Sequence, residues 1–120
     1  MTKKIIESKN GRIAIVNSDT PIIIDGQTAL DFTVNIAYEH DCRDAAVNKA
    51  AVAEDFFKLS TGVAGEIAQK LVNYGFRLAI IGDFSNYTSK PLHDFIFESN
   101  QGRNLYFVAD ENEAILRLSE

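Results

Sequence analysis

The sequence LAIIGD at Leu78–Asp83 decides the fold of this chain. Its unbroken apolar run, Leu78–Ile81, is typical of a central strand that is covered on both faces, as in a parallel sheet. A helical pattern that stops at Gly75, where a left-handed residue is needed, precedes the strand, and a loop rich in hydroxyl groups follows it. Helix, strand and loop in this order indicate an α/β domain, which places its sites at the carboxyl ends of the parallel strands.

The other strands are predicted from short apolar runs between turn signals. Asn10-Gly11 between two such runs is a strong hairpin signal, so we expect the chain to begin with an antiparallel pair. Ala45–Val52 is ambiguous, because its alanines favour a helix whereas its position between two helices favours a short strand, the interpretation we adopt. Besides Leu78–Ile81, the predicted strands are Lys4–Ser8, Arg12–Asn17, Ala45–Val52 and Leu105–Val108, with a short extended piece at Pro21–Ile24.

Four helices are predicted from capping residues and from apolar stripes of helical period. The first covers Gly26–Glu39, and the second carries Glu66 and Lys70, which can pair on its outer face. The residues expected to open the helices are Asp25, Ser60 or Thr61, Ser89-Lys90-Pro91, and Asp110 with Glu113. The stripes expected to be buried are Leu30, Val34 and Ala37; Ala64, Ile67, Ala68 and Leu71; Leu92, Phe95, Ile96 and Ser99; and Ile115 and Leu118.

This alternation predicts a mixed, mostly parallel α/β sheet of four to six strands, with an N-terminal β-hairpin and about four helices. The length of 120 residues favours a single domain over residues 1–120. No linker, repeat or low-complexity segment interrupts the pattern.

Composition narrows the classes of function. With a net charge of −5, the chain lacks the excess of basic residues that is typical of nucleic-acid-binding proteins. No run approaches the length of a membrane span, so we expect no membrane partner. Cys42 is the only cysteine, which rules out a disulfide within the chain and suits a reducing compartment. We therefore expect a cytoplasmic protein.

Four segments carry a resemblance to a known family: Phe56-Phe57, Thr61–Ile67, Leu78–Ser85 and Ser89–Leu92. Their spacing resembles the domain-of-unknown-function 4180 family, a bacterial family of small stand-alone proteins. The resemblance covers nearly the whole chain and is densest from Phe56 to Gly102. It brings no established activity with it.

A second resemblance concerns architecture. The turn Ser60–Gly65 is similar to the SSGLG-like turn of STAS domains, the fold of anti-sigma-factor antagonists, which also begin with a hairpin. A serine of that turn is phosphorylated in STAS proteins, and Thr61 falls on the modified position. STAS turns usually carry an Asp just before the two hydroxyls, where this chain has Lys58-Leu59. The resemblance implies a STAS-like architecture. The missing Asp before the two hydroxyls argues against regulation by the same kinases.

Hydroxyl groups precede the second helix. Ser60 and Thr61 could be phosphorylated, or could bind an anion with the first backbone N–H groups of the helix. The alternative is that one of them only caps the helix. Gly62 and Gly65 could let a ligand approach the backbone, although close packing between helix and sheet explains such glycines as well.

An acidic residue follows the central strand. Asp83 could bind a cation, accept a proton or contact a partner, or it could cap its own loop at Ser85. Ser85 and Lys90 belong to the loop that follows, which can bind a polar ligand or simply open the next helix. The candidate ligand- or partner-binding residues are thus Ser60, Thr61, Gly62, Asp83, Ser85 and Lys90.

Residue sets typical of catalysis are not apparent. His40 and His93 are the only histidines and have no metal-ligand spacing. The carboxylate pair Glu54-Asp55 resembles a solvated helix start. We expect no cofactor, no metal and no enzymatic activity.

Three hypotheses of function remain. The preferred one is a non-enzymatic regulatory or protein-interaction module that uses the Ser60–Gly65 turn and the Asp83 loop as its contact face. The alternative is a binder of a small polar or phosphorylated ligand at the carboxyl edge of the sheet. The third, an enzyme working through Asp83, would need a second titratable group close by. A homodimer through an edge strand or the fourth helix is left open, and Phe32 and Phe97 would mark a protein contact if exposed.

Overall fold

The computed structural model describes all residues from Met1 to Glu120. Five strands form one sheet in the order β1-β2-β3-β4-β5. The first pair is antiparallel and the other three pairs are parallel. This confirms the predicted mixed, mostly parallel sheet with an N-terminal hairpin. The strands are β1 Thr2–Ser8, β2 Gly11–Asn17, β3 Asp44–Asn48, β4 Arg77–Ile81 and β5 Leu105–Val108.

Four α-helices accompany the sheet, as predicted. They are α1 Gly26–His40, α2 Val63–Tyr74, α3 Lys90–Gln101 and α4 Glu111–Leu118. None of them combines the length and the apolar character that crossing a bilayer requires. Three short 3₁₀ turns, Lys49–Ala51, Glu54–Phe57 and Leu59–Thr61, lie between β3 and α2.

The ambiguous segment Ala45–Val52 is a strand only in its first half. β3 ends at Asn48, and the chain turns away from the sheet at Lys49. The Asn48 side chain accepts a hydrogen bond from the Ser18 backbone N–H at 2.8 Å and donates one to the Ser18 carbonyl at 2.7 Å. This amide ties the end of β3 to the residue after β2, and the predicted strand is wrong beyond it.

The order of the strands determines where the helices lie. Each crossover from β2 to β5 moves in the same direction, so right-handed connections place α1, α2 and α3 on one face. The core confirms this arrangement, because Ala29, Ile67 and Leu92 of these helices belong to one apolar cluster. Leu118 of α4 belongs to a second cluster on the opposite face.

β4 is the central strand that its sequence predicts. Leu78 and Ile80 face the three-helix layer, whereas Ala79 faces α4. All three are at most 1% exposed. A strand covered on both faces needs apolar residues at every position, which explains the unbroken run.

The face of α1 that is buried differs from the predicted one. The helix buries Ala29, Thr33 and Ile36, whereas Val34 is 51% exposed. The buried stripe is therefore rotated by one residue, about 100° around the helix axis.

In this orientation the first turn of α1 contacts α2. The Gly26 backbone N–H donates to Glu66 Oε1 at 3.0 Å, and a Cβ at Gly26 would lie 2.1 Å from the same oxygen. The first turn of α1 thus meets α2 through its smallest residue. Glu66 bonds to α1 rather than forming the predicted pair with Lys70.

Candidate functional site

The candidate site lies where the four parallel strands end. The segment between β3 and α2 and the loop between β4 and α3 both leave the sheet at this edge, since they follow neighbouring parallel strands. Five of the six residues predicted as contacts, from Ser60 to Ser85, lie in these two segments. Lys90 is the first residue of α3.

Aromatic rings join the two segments. Phe57 stacks on Tyr87 with ring centroids 5.0 Å apart and also packs on Phe84 at 5.9 Å. Phe84 in turn meets Phe107 of β5 edge-on at 5.3 Å. Phe56, buried beside Phe57, extends the cluster into the core. Phe and Tyr rings of this kind fill the space between the loops and hold them as one unit.

A half-buried lysine lies against these rings, and the sequence analysis did not single it out. The Lys49 ammonium is 4.7 Å from the centroid of the Tyr87 ring and 5.8 Å from that of Phe57. The Tyr87 hydroxyl donates to Glu54 Oε1 at 3.0 Å. Burial raises the pKa of Tyr87, and the neighbouring Glu54 carboxylate adds to this effect. Tyr87 therefore stays protonated at neutral pH and can keep donating to Glu54.

Gly82 makes room for this lysine. A Cβ at Gly82 would lie 2.8 Å from Lys49 Cβ, closer than side chains allow. The absence of a side chain at the end of β4 thus lets the stem of Lys49 cross it. The sequence signal for this contact was the Gly directly after the LAII run, but only the pairing of β3 with β4 identifies Lys49 as the neighbour.

The hydroxyl turn before α2 differs from the prediction. The N-cap position of α2 is Gly62, with φ of 79°, rather than Ser60 or Thr61. The Thr61 hydroxyl still accepts a hydrogen bond from the Val63 backbone N–H, the first of the helix, at 3.3 Å. The Thr61 hydroxyl lies 2.7 Å from the Asp55 carbonyl and 2.8 Å from the Lys58 carbonyl. It closes the turn that precedes the helix, because the backbone there curls into 3₁₀ geometry. Ser60 is exposed, and none of these hydrogen bonds uses its hydroxyl.

Asp83 caps its own loop and remains exposed. Its Oδ1 accepts a hydrogen bond from the Ser85 backbone N–H at 2.9 Å. The hydrogen bonds from Ser85 lower the pKa of Asp83, and the nearby charge of Lys49 lowers it further. Asp83 is therefore an exposed carboxylate at neutral pH.

Lys90 is engaged elsewhere. Its ammonium forms an ion pair with Asp94, one turn along α3, at 2.7 Å. This pairing raises the pKa of Lys90. Ser89 caps the same helix by accepting from the Leu92 backbone N–H. The structure thus brings Asp83 and Ser85 together directly, while Thr61 bonds within residues 55–63 and Lys90 bonds to Asp94.

Two hollows of the molecule lie away from these loops. One, of about 320 Å³, lies between β1 and α1. The other, of about 330 Å³, lies between α1 and α2 and is bordered by Tyr38 and Tyr74, which are 90% and 50% exposed. Phe97 is also exposed, whereas Phe32 is half-buried against the three-helix core.

A comparison with known protein families gives a match over nearly the whole chain. A family model described as a domain of unknown function (DUF4180) matches residues 8–118, from the end of β1 through α4. The chain belongs to this family. The DUF4180 resemblance of the sequence is thereby confirmed. No curated protein and no solved structure matches the chain. The resemblance to STAS domains is not confirmed by these comparisons.

Proposed function

We propose that this DUF4180 protein is a non-enzymatic, regulatory protein-interaction module of the cytoplasm. Its contact surface, the loop face, consists of residues 54–62 and 83–88. The observation that carries the proposal is the stacking of Phe57 on Tyr87, which joins the two loops through their buried sides. Because the rings hold the backbone of both loops, the polar side chains on the outer side project from an ordered backbone, and binding loses little backbone conformational entropy.

The exposed groups of the loop face suit a protein partner. Asp83 and Ser85 present a carboxylate and a hydroxyl on one short turn, and Ser60 presents a second hydroxyl on the neighbouring segment. Such groups resemble the polar part of a protein interface, where hydrogen bonds are spread over a broad surface.

A small ligand at this edge has less support. A binding pocket would need a concave space lined by the proposed contacts. The rings of Phe57 and Phe84 fill the space between the loops, and Lys90 is paired with Asp94. Two hollows that the structure does contain lie beside α1.

Ser60 is the hydroxyl best placed for regulation. Thr61 holds the turn closed, so that modifying it would first break the hydrogen bonds to Asp55 and Lys58. Ser60 lies on the same turn without such a structural role and is exposed. A phosphate there would add roughly −1.5 to −2 charges to the loop face and would alter a partner contact directly.

The proposal is tested by affinity capture from a lysate of the native host, with mass spectrometry of the bound proteins and of Ser60. Four baits are compared: wild type, Asp83→Ala, Ser60→Glu and Lys9→Ala. Lys9 is an exposed residue of the hairpin turn at the opposite edge of the sheet and serves as the matched control.

We expect a protein that wild type and Lys9→Ala both retain and that Asp83→Ala or Ser60→Glu loses. Retention of every bound protein by all four baits would contradict the loop face as the contact surface. Circular dichroism of each bait checks that the substitutions leave the fold intact.

A further inference from the structure

The two edge strands of the sheet, β1 and β5, differ in the hydrogen bonding of their outer backbone groups. At the β5 edge, the Asn100 side chain accepts from the Phe107 backbone N–H at 2.8 Å and reaches the Phe107 carbonyl at 3.4 Å. These bonds occupy the outward backbone groups of Phe107, which another strand would need. At the β1 edge, by contrast, no loop or side chain bonds the outer backbone groups of this seven-residue strand.

The hairpin determines which groups of β1 are free. Ser8 lies opposite Gly11 across the two-residue turn, and this closing pair exchanges hydrogen bonds in such hairpins. Bonding then alternates along the strand, so Lys3, Ile5 and Glu7 direct their N–H and C=O groups to the free edge. An edge of this length is a template for a further strand.

Lysines commonly protect a free edge, but those of β1 are turned onto their own domain. Lys3 lies 3.9 Å from Glu39 and 3.5 Å from His40, both near the end of α1. Lys4 forms an ion pair with Glu111 of α4 at 2.7 Å, across the other face of the sheet. Neither side chain blocks the approach of a second strand.

We propose that the protein forms a two-fold dimer in which β1 pairs antiparallel with β1 of a second copy, with the axis at Ile5. This arrangement places Lys3 opposite the partner's Glu7, and the reverse by symmetry. Each side chain would add this contact to the one it makes within its own chain, Lys3 with Glu39 at 3.9 Å and Glu7 with Arg12 at 2.9 Å. Ile5, which packs against the three-helix core, lies opposite the partner's Ile5. The interface is isologous, as a two-fold dimer requires, and joins two five-stranded sheets into one continuous sheet.

Charge selects this register over its neighbours. An axis at Lys3, Lys4 or Glu7 would place two like charges directly opposite each other, which destabilises a strand pair. An axis at Ile6 would place the Glu7 carboxylate opposite Ile5. The axis at Ile5 pairs Lys3 and Glu7 with opposite charges and Ile5 with itself, and it leaves Lys4, whose ammonium is already bound to Glu111, opposite the partner's Ile6.

The test is a charge exchange read by analytical ultracentrifugation. Lys3→Glu alone and Glu7→Lys alone each turn two attractive pairs into two repulsive ones, so each should weaken dimerisation about tenfold or more. The double variant Lys3→Glu/Glu7→Lys restores two opposite-charge pairs and should recover most of the lost affinity. Lys9→Glu, a charge reversal in the turn outside the strand, is the matched control.

A wild-type protein that stays monomeric up to about 1 mM would overturn the proposal. So would a double variant that dimerises no better than either single variant, provided that thermal unfolding shows all of them to be folded.

Cross-linking keeps the proposal testable if the charge variants unfold. Directly opposite residues that exchange hydrogen bonds have Cα atoms about 5.5 Å apart, which a disulfide can bridge. Ile5→Cys should therefore give a covalent dimer with oxidised glutathione, whereas Lys9→Cys should not. The natural Cys42 is 1% exposed and does not compete. Equal cross-linking of both variants would refute the register. The outcome is independent of the loop face, because the interface runs along the β1 edge of the sheet and the loop face lies beyond the carboxyl ends of β3 and β4.

Discussion

Lys49 can lie beside the end of β4 because Gly82 has no side chain. Its stem passes so close to Gly82 that a Cβ there would collide with it, and its ammonium then reaches the faces of Tyr87 and Phe57. A cation over an aromatic face contributes about 0.5–1 kcal/mol at exposed sites and more when water is excluded. Gly82 thus supports the loop face through a residue that is distant in sequence.

A pair of glycine substitutions tests this dependence. Gly82→Ala should lower the free energy of unfolding by about 1–3 kcal/mol, because the added methyl group displaces Lys49 or the backbone. Gly65→Ala is the control, since it lies in α2 with no atom within 4 Å of its added Cβ. It should raise stability by about 0.5–1 kcal/mol through helix propensity. Urea unfolding measures both, and equal effects of the two substitutions would contradict the role of Gly82.

At the scale of elements, α1 shows how packing chooses among apolar residues. The helix carries Val34 and Ile36 two positions apart, on different sides of its axis. Ile36 is 3% exposed and packs in the three-helix core, whereas Val34 faces solvent beside Tyr38. Ala29 and Ile36 pack in the three-helix core, and the hydrogen bond between Gly26 and Glu66 joins the first turn of α1 to α2 in this orientation.

Matched charge substitutions on α1 test its orientation. Val34→Asp should change the free energy of unfolding by less than about 1 kcal/mol, because the carboxylate stays in water. Ile36→Asp should lower it by about 3 kcal/mol or more, because it loses apolar burial and places a charge in the core. Thermal unfolding of both variants distinguishes the two faces. A larger loss for Val34→Asp would restore the stripe predicted from the sequence.

At the scale of the whole molecule, the two faces of the sheet are covered by unequal numbers of helices. Three helices cover one face and the short α4 covers the other, because every crossover runs in the same direction along the sheet. β4 lies between β3 and β5 and contributes to both cores. Its residues therefore support the entire fold.

A charge in this strand should abolish folding. Ile80→Asp places an unpaired carboxylate at a position that is 0% exposed, and the cost should exceed about 4 kcal/mol, a large part of the stability of such a domain. Leu116→Asp, on the 67% exposed side of α4, is the control and should fold normally. Circular dichroism compares the two, and a folded Ile80→Asp protein would refute the central position of β4.

The sequence by itself determined the parts of this protein that depend on local chemistry. The hairpin signal at Asn10-Gly11, the run Leu78–Ile81 and the caps Asp25 and Ser89 predicted their elements, because turn geometry, burial on two faces and capping act over a few residues. The candidate loops were also predicted, since strand order along the chain places them at one edge.

Only the tertiary structure decided which residues meet. The face of α1, the cap at Gly62 and the true partner of Glu66 depend on neighbours far away in sequence. The same holds for Lys49 against Tyr87, a contact that exists only because β3 and β4 are adjacent in the sheet. Periodicity specifies that a helix has an apolar side, but packing between elements determines the rotation at which that side is buried, and it determines which loops come into contact.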